Sequence, residues 1–337
     1  MLNMEFYQNI PRIPLAQLPT PLYRLDNVSA ALSRNIYVKR DDMTGVALGG
    51  NKVRKLEYLL ADALQKGCDT VITTGGAQSN HAMLTAACAL RLGLTPHLVL
   101  KGRGVCEKKG NLLLSELMGV DVRLVDTDSY ADVYAAMEEL KEKLLSEGKK
   151  PYLIPVGGSV PLGALGYAHG MLEAFEQLHA LDVSPSRVVC CTGSGGMHAG
   201  LLLGAKLFSG HFFEQAVQVT GIAVSDEPFE TIVAELVEGT AALLGEAVTL
   251  QKGDVEIFDY TGAGYAIPSE QGEKAVRFMA SHEGLFLDPV YTGKAFGGLM
   301  ELCEKGIIKE GETVLFVFSG GAGGLFAIEQ GAGGEKA

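Results

Sequence analysis

The sequence predicts an α/β fold in which helices cover a largely parallel β-sheet. Two observations point there. From about residue 50 onward, short apolar runs rich in β-branched residues alternate with amphipathic stretches of helix length. The glycines gather in a few short loops and form no linker, although there are 43 in 337 residues, nearly twice the ~7% of an ordinary protein.

Taken in order, strands are expected at Thr70–Thr74, His97–Leu100, Val122–Val125, Tyr152–Val156, Arg187–Cys191, Val217–Val224 and Thr313–Phe318. Helices are expected at Asn51–Lys66, Asn80–Leu92, Asp132–Ser146, Leu165–His179, Met197–Phe208, Pro228–Leu244, Ser269–His282 and Thr292–Glu304. In the first of these, Val53, Leu56, Leu60 and Leu64 recur at the spacing of one helical face. No low-complexity linker divides the chain, so any two domains are intertwined or tightly joined. Val156–Gly163 (VGGSVPLG) is the expected crossing point, because its glycines and proline interrupt the alternation. The tail from Gly331 is expected to fray.

Composition narrows the function. At 47% hydrophobic the chain can bury one large core or two ordinary ones. A formal charge of -12 repels a polyanion, which argues against nucleic acid as a partner. No apolar run approaches the ~20 residues that span a bilayer, and the start lacks the layout of a secretion signal, so no membrane partner is expected and the protein is read as cytoplasmic. Cys68, Cys88, Cys106, Cys190, Cys191 and Cys303 include no C-x-x-C pair, which speaks against a disulfide framework and a zinc site; no metal is expected.

Three constellations could carry chemistry. In Gly49-Gly50-Asn51-Lys52-Val53-Arg54-Lys55, three cations fall in the first turn of a helix, where the macrodipole disfavours them. A bound phosphate would explain the cluster, and the same field with desolvation would raise the neutral fraction of a lysine used in Schiff-base chemistry; a solvated basic turn is the alternative. Gly75-Gly76-Ala77-Gln78-Ser79-Asn80-His81 lies between a strand and a helix, at the carboxyl end of the strand, where open α/β sheets bind ligands. Ser79 or Asn80 there either caps the helix or, with free backbone N–H groups, receives a carboxylate. Thr192-Gly193-Ser194-Gly195-Gly196-Met197-His198 repeats that placement and can surround a phosphate with N–H groups. Because His198 occupies the place of the third glycine of G-x-G-x-x-G, a dinucleotide site is disfavoured; a Walker A lysine and a G-x-S-x-G are missing as well. His198 is either an ordinary helix residue or a ligand or base.

Together, GGNKVRKLEYL, GGAQSNHAMLTAACALRLGL, PVGGSVPLGALGY, TGSGGMHAGL, GAGYAIPSEQG, LDPVYTGKAFGGL and VLFVFSGGAGGLFA resemble, in this order, the family of D-cysteine desulfhydrase and 1-aminocyclopropane-1-carboxylate (ACC) deaminase, which depends on pyridoxal 5'-phosphate (PLP). The seven motifs span nearly the whole chain. The resemblance implies PLP fold type II, similar to the tryptophan synthase β-subunit: two open twisted, mostly parallel sheets flanked by helices, a small domain (52–163) inserted in a large one (1–51 and 164–337), and PLP in the cleft between them. It also implies a homodimer acting on a small amino acid.

Carried across by position, the resemblance makes Lys52 the Schiff-base lysine and the acid/base at Cα. Lys55 and the amides of Ser194, Gly195, Gly196 and Met197 would hold the phosphate. Asn80 would contact the PLP 3'-oxygen, Ser79, Asn80 and His81 the substrate carboxylate, and Tyr265 and Tyr291 would flank the substrate. Family members usually have threonine where this chain has Met197, and histidine where it has Phe318. ACC deaminases carry glutamate directly after the second tyrosine, beside the pyridine nitrogen, and leucine before the late Gly-Gly pair; here those residues are Thr292 and Ser319. A hydroxyl at the ring nitrogen in place of the glutamate makes PLP a weaker electron sink, which suits departure of a good leaving group from Cβ. The expected activity is therefore α,β-elimination of D-cysteine to pyruvate, hydrogen sulfide and ammonia. L-Cysteate, D-serine and β-chloroalanine are alternative substrates, ACC ring opening comes next, and a non-catalytic small-molecule binder is the alternative from another class.

Overall fold

The computed structural model describes residues 10–327 except Cys106, so the tail from Gly331 lies outside the described residues. The chain opens with β1 (Leu22–Arg24), α1 (Asp26–Leu32) and β2 (Asn35–Arg40), then passes through a 3-10 turn at Asp41–Met43 into α2 (Lys52–Gln65). An alternating run follows: β3 (Thr70–Gly76), α3 (Asn80–Arg91), β4 (Thr95–Lys101), α4 (Gly110–Leu117), β5 (Asp121–Val125), α5 (Tyr130–Ser146) and β6 (Pro151–Ile154). A second 3-10 turn at Val156–Gly158 leads to α6 (Pro161–Ala180), β7 (Arg187–Thr192), α7 (Gly196–Phe212), β8 (Gln218–Ala223), α8 (Phe229–Leu243) and β9 (Glu256–Asp259). The chain then runs through α9 (Glu270–Glu283), α10 (Thr292–Glu304), β10 (Thr313–Phe318) and α11 (Ala322–Leu325).

The strands form two sheets. Four parallel strands in the order β5-β4-β3-β6 make the smaller one, and β1-β2-β10-β7-β8-β9 make the larger, parallel except for β1. Alternation along β3 sorts its neighbours: Ile72 packs with Val99 and the α5 residues Val133 and Met137, while Val71 packs with Leu56 and Leu60 of α2 and Leu84 of α3. Around the larger sheet one core joins α6, α7 and α8 to Val188, Val219 and Phe316.

Local chemistry sets several boundaries. Pro161 opens α6 four residues before the expected start, as a first-turn position that needs no N–H donor allows. Ser129 caps α5 by accepting from the Ala131 N–H, so that helix begins at Tyr130 and not at Asp132. The strands β1, β2 and β9 and the helices α1, α4 and α11 were not expected from the pattern. In β2 the apolar Ile36 and Val38 alternate with polar neighbours and end in Lys39 and Arg40, which mask an interior strand.

Helix α2 packs on α6 of the larger unit and on α3 of the smaller one. Its attachment to the larger unit is ionic. Arg54 donates to Asp41 at 2.8 and 2.9 Å and to Glu173 at 2.8 and 3.1 Å; Lys39 binds Glu173 at 2.6 Å, and the Tyr167 hydroxyl donates to Asp41 at 2.7 Å.

Candidate active site

The chain enters α2 through a turn that only glycine fits. Gly49 has φ +74° and a Cβ there would lie 1.8 Å from the Asp42 carbonyl oxygen; Gly50, at φ +139°, would press on the Asn80 amide at 2.5 Å. The Asn51 N–H donates to the Ser319 carbonyl at 2.9 Å, which fixes the entry to the loop after β10. Lys52 is thereby delivered as the first residue of α2. Its side chain is partly buried, and desolvation lowers its pKa to about 8.

Lys55, one turn on, is fully buried and donates to the Gly157 carbonyl at 3.0 Å and to Ser159 Oγ at 3.1 Å. Desolvation, followed by the charge of Lys52, holds its pKa well below the usual lysine value. Neither lysine has a carboxylate partner among the described residues.

The glycine loop after β7 closes around this ammonium. A Cβ on Gly196 would fall 2.6 Å from Lys55 Nζ and 2.7 Å from Ser159 Oγ. Ser159 donates to Ser194 Oγ at 2.8 Å and accepts from the Gly196 N–H at 3.2 Å. Gly195 and Gly196 open α7, a seventeen-residue helix whose first N–H groups have no intrahelical acceptor. Met197 accepts at its sulfur from Asn51 Nδ2 at 3.4 Å. The segment Val156–Gly163 thus brings a hydroxyl, Ser159, to Lys55, Ser194 and the Gly196 N–H. Its sequence signal was a serine in a glycine-rich loop ahead of a helix, as at Ser194.

Around β3 the other expected residues take distinct places. Ser79 caps α3, accepting from the Ala82 N–H at 3.2 Å and keeping its own proton to donate. Asn80 faces the Gly49–Gly50 turn, its Nδ2 3.4 Å from the Gly49 carbonyl. The His81 ring is buried against Thr73 Oγ1 at 2.9 Å, and burial together with the charges of Lys52 and Lys55 keeps it neutral. What His81 has to offer a carboxylate is therefore its backbone N–H. His198 lies in the core, its Nδ1 3.1 Å from Thr192 Oγ1, its pKa pushed down to about 4 by burial; it fills the space over Gly221 and faces no other member of the site.

Tyr265 and Tyr291 meet hydroxyl to hydroxyl at 2.5 Å. A Cβ on Gly193 would touch the Tyr291 ring at 3.4 Å, so the pair borders the glycine loop after β7. Two residues that the sequence reading did not single out hold them. Asp288 accepts from the N–H groups of Val290, Tyr291 and Thr292 at 2.8 to 2.9 Å and from the Thr292 hydroxyl at 2.7 Å, capping α10 and fixing Tyr291. Lys294 donates to the carbonyls of Thr261 and Gly264 at 2.7 and 3.1 Å, which pins the loop just before Tyr265. Asp and Thr four residues apart ahead of a helix were the legible sign of the first; nothing local marked the second. The Thr292 hydroxyl is committed to Asp288, while that of Ser319, buried beside the Lys52 entry, makes no hydrogen bond among the described residues.

Known proteins resemble this chain in sequence and in fold. A family model described as pyridoxal-phosphate dependent enzyme matches residues 13–320. A Pyrococcus abyssi protein, provisionally named 1-aminocyclopropane-1-carboxylate deaminase, is 46% identical over 318 residues, 94% of this chain and 93% of its own. A Salmonella newport protein named D-cysteine desulfhydrase is 40% identical over 332 residues, 97% and 98% of the two chains. A crystal structure of an ACC deaminase homologue superposes with a TM-score of 0.88 at 40% identity, covering 96% of each chain. With its two mostly parallel sheets and the buried Lys55 beside a glycine loop, the chain belongs to the family of pyridoxal-phosphate dependent enzymes, with lyases among its relatives.

Proposed function

We propose that the protein binds PLP through Lys52 and eliminates the β-substituent of a small amino acid, D-cysteine first among them. The residues fit the cofactor. Lys55, buried, and Lys52, partly buried one turn before it, lack a carboxylate partner among the described residues, and the glycine loop, the α7 N-terminus, Ser159 and Lys55 converge where a phosphate would supply an anion. When bound, PLP supplies the electron sink that acidifies the substrate Cα proton. With a pKa near 8, Lys52 is neutral in part at physiological pH and can take that proton. The substrate carboxylate is suited to the N-terminus of α3, where N–H groups and the Ser79 hydroxyl are available. Tyr265 and Tyr291 can hydrogen-bond the departing group.

One observation carries the choice among lyases: Thr292 stands where a ring-opening enzyme carries a glutamate, Ser319 stands where it carries a leucine, and the Asp288 carboxylate beside Thr292 is occupied by four donors of its own turn. ACC ring opening is the second reading, favoured by the name of the Pyrococcus relative at 46% identity.

The experiment is to load the purified protein with PLP and offer D-cysteine, L-cysteine, D-serine, L-cysteate and ACC in turn, measuring pyruvate, 2-oxobutyrate and sulfide. Sulfide and pyruvate from D-cysteine are the expected products; faster 2-oxobutyrate from ACC would overturn the choice of substrate.

A further inference from the structure

The tyrosine pair comes from two segments of the chain, and one turn of helix holds both. Tyr291 is the residue on which α10 begins, and the Asp288 carboxylate fixes it through the N–H groups of that first turn. Tyr265 lies in the irregular stretch between β9 and α9. That stretch makes two consecutive turns: the Gly264 N–H donates to the Thr261 carbonyl at 3.4 Å, and the Ile267 N–H to the Gly264 carbonyl at 3.3 Å. Tyr265 is the second residue of the latter turn, and Ala266, its third, has φ +63°, a left-handed value usually left to glycine.

The carbonyls that open these two turns end on one ammonium. Lys294, the third residue of α10, donates to Thr261 O at 2.7 Å and to Gly264 O at 3.1 Å. Its side chain is buried, and its stem runs against α9, where a Cβ on Gly272 would fall 3.4 Å from Lys294 Cγ. Among the described residues it forms no ion pair; Cys191, Asp259 and Asp288 act on it only from beyond hydrogen-bonding distance. A lysine is disfavoured here twice, because a buried ammonium loses its water and because the first turn of a helix carries the positive end of the macrodipole. Methionine or leucine would fill the space without either penalty. What the charge adds is two strong hydrogen bonds to main-chain carbonyls one residue or a few residues before Tyr265.

We propose that Lys294 is a positioning residue of the elimination, a tethered cation that clamps the turn presenting Tyr265, so that the first turn of α10 sets where both phenols stand. This rests on the elimination reading above, in which the two hydroxyls hydrogen-bond the departing group. Tyr265 and Tyr291 meet at 2.5 Å, so a small displacement of either turn breaks the pair. Without the ammonium, the Thr261 and Gly264 carbonyls lose their charged donor, the turn held at Ala266 can relax, and Tyr265 leaves its place beside Tyr291. Lys294 touches no reacting atom in this role. Its loss therefore falls on the rate of the bound complex and spares substrate binding, which is suited to the N-terminus of α3.

The test is Lys294→Met in the PLP-loaded protein with D-cysteine, beside Tyr265→Phe and the double substitution. Methionine keeps most of the stem and removes the charge; losing two hydrogen bonds to a charged group is expected to lower kcat about 10- to 100-fold with KM changed less than about threefold. In the Tyr265→Phe background the same substitution should cost less than about twofold, since both act through one phenol, and a full loss there would overturn the proposal. Lys294→Gln, able to reach one carbonyl, should fall between, and it carries the same measurements if the methionine variant does not fold. A second readout needs no turnover: in hydrogen exchange, the amides of residues 261–267 should exchange about tenfold faster in either variant while those of α9 and α10 keep their protection. Unchanged exchange in that stretch, or a loss spread over both helices, would mean that the lysine serves packing alone and would overturn the proposal. If the unaltered protein eliminates nothing from D-cysteine, the elimination reading fails by itself, and the exchange still decides whether Lys294 holds the turn.

Discussion

Two sets of buried cations share the first turn of α2 and are treated in opposite ways. Arg54 points into the larger unit and is matched at once by Asp41 and Glu173, with Lys39 and Tyr167 completing the network. Lys52 and Lys55, on either side of it in sequence, lie within reach of each other's charge, and Lys55 donates to a carbonyl and a hydroxyl only. Removing a charge from water costs several kcal/mol unless a partner compensates. The first set is complete within the protein and clamps the helix. The second is incomplete, and the missing anion is the best physical argument for a phosphate ligand.

The contrast can be broken experimentally, and the largest effect belongs to the incomplete set. Lys52→Ala is expected to lower pyruvate release by about 10⁴-fold or more and to abolish the yellow colour of the PLP-loaded protein; turnover at the original rate would refute its assignment. Within the complete set, Asp41→Asn or Arg54→Met leaves an uncompensated buried charge. Each should cost about 3–5 kcal/mol in denaturant unfolding. A cost no larger than that of a surface substitution would show that the network does not clamp α2.

pH separates the two sets further. Lys52 has a folded pKa of about 8, below its unfolded value of 10.5, so between these the unfolded chain holds more protons and stability rises with pH. Lys55 and Lys39 act in the same direction. Asp41 and Glu173 lie below their ordinary values, so their contribution is present above about pH 4 and is lost only as pH falls further. The buried thiols of Cys88, Cys190, Cys191 and Cys303 act the other way: burial raises their pKa values, so over the same alkaline range only the unfolded chain loses those protons and stability falls. In cofactor-free protein, Lys52→Met with Lys55→Met should therefore make urea resistance fall more steeply between about pH 7.5 and about pH 9.5 than it does in the unaltered chain; an unchanged pH dependence would show that the two lysines do not contribute to it.

Smaller effects grade the phosphate end. Lys55→Ala should weaken PLP binding about 10- to 100-fold, as expected for a hydrogen bond to a charged group, and Ser159→Ala only a few-fold. Equilibrium titration of PLP absorbance would reveal either a reversed order, which would mean that Ser159 and not Lys55 anchors the phosphate, or equal losses.

The glycine loops and their strand-to-helix placement were legible because their causes are local: a tight turn needs positive φ, and a strand buried on both faces needs a short apolar run. The family motifs extended this to Lys52, Ser79 and the two tyrosines. What stayed hidden had its partner far along the chain. Ser159 was read as part of a crossing segment, since only folding brings it to Lys55, 104 residues away. Lys39 and Arg40 obscured β2 because a charged residue in a strand looks exposed until Glu173 is seen beside it.

By itself the sequence determined the alternation of strands and helices, the turns that deliver Lys52 and open α7, and the residue types available for chemistry, because periodicity, steric limits and capping act within a few residues. Only the tertiary structure decided the strand order and which two of the three neighbouring cations lack a carboxylate partner among the described residues. These depend on desolvation and on distances between segments more than a hundred residues apart, and neither is encoded in any local window.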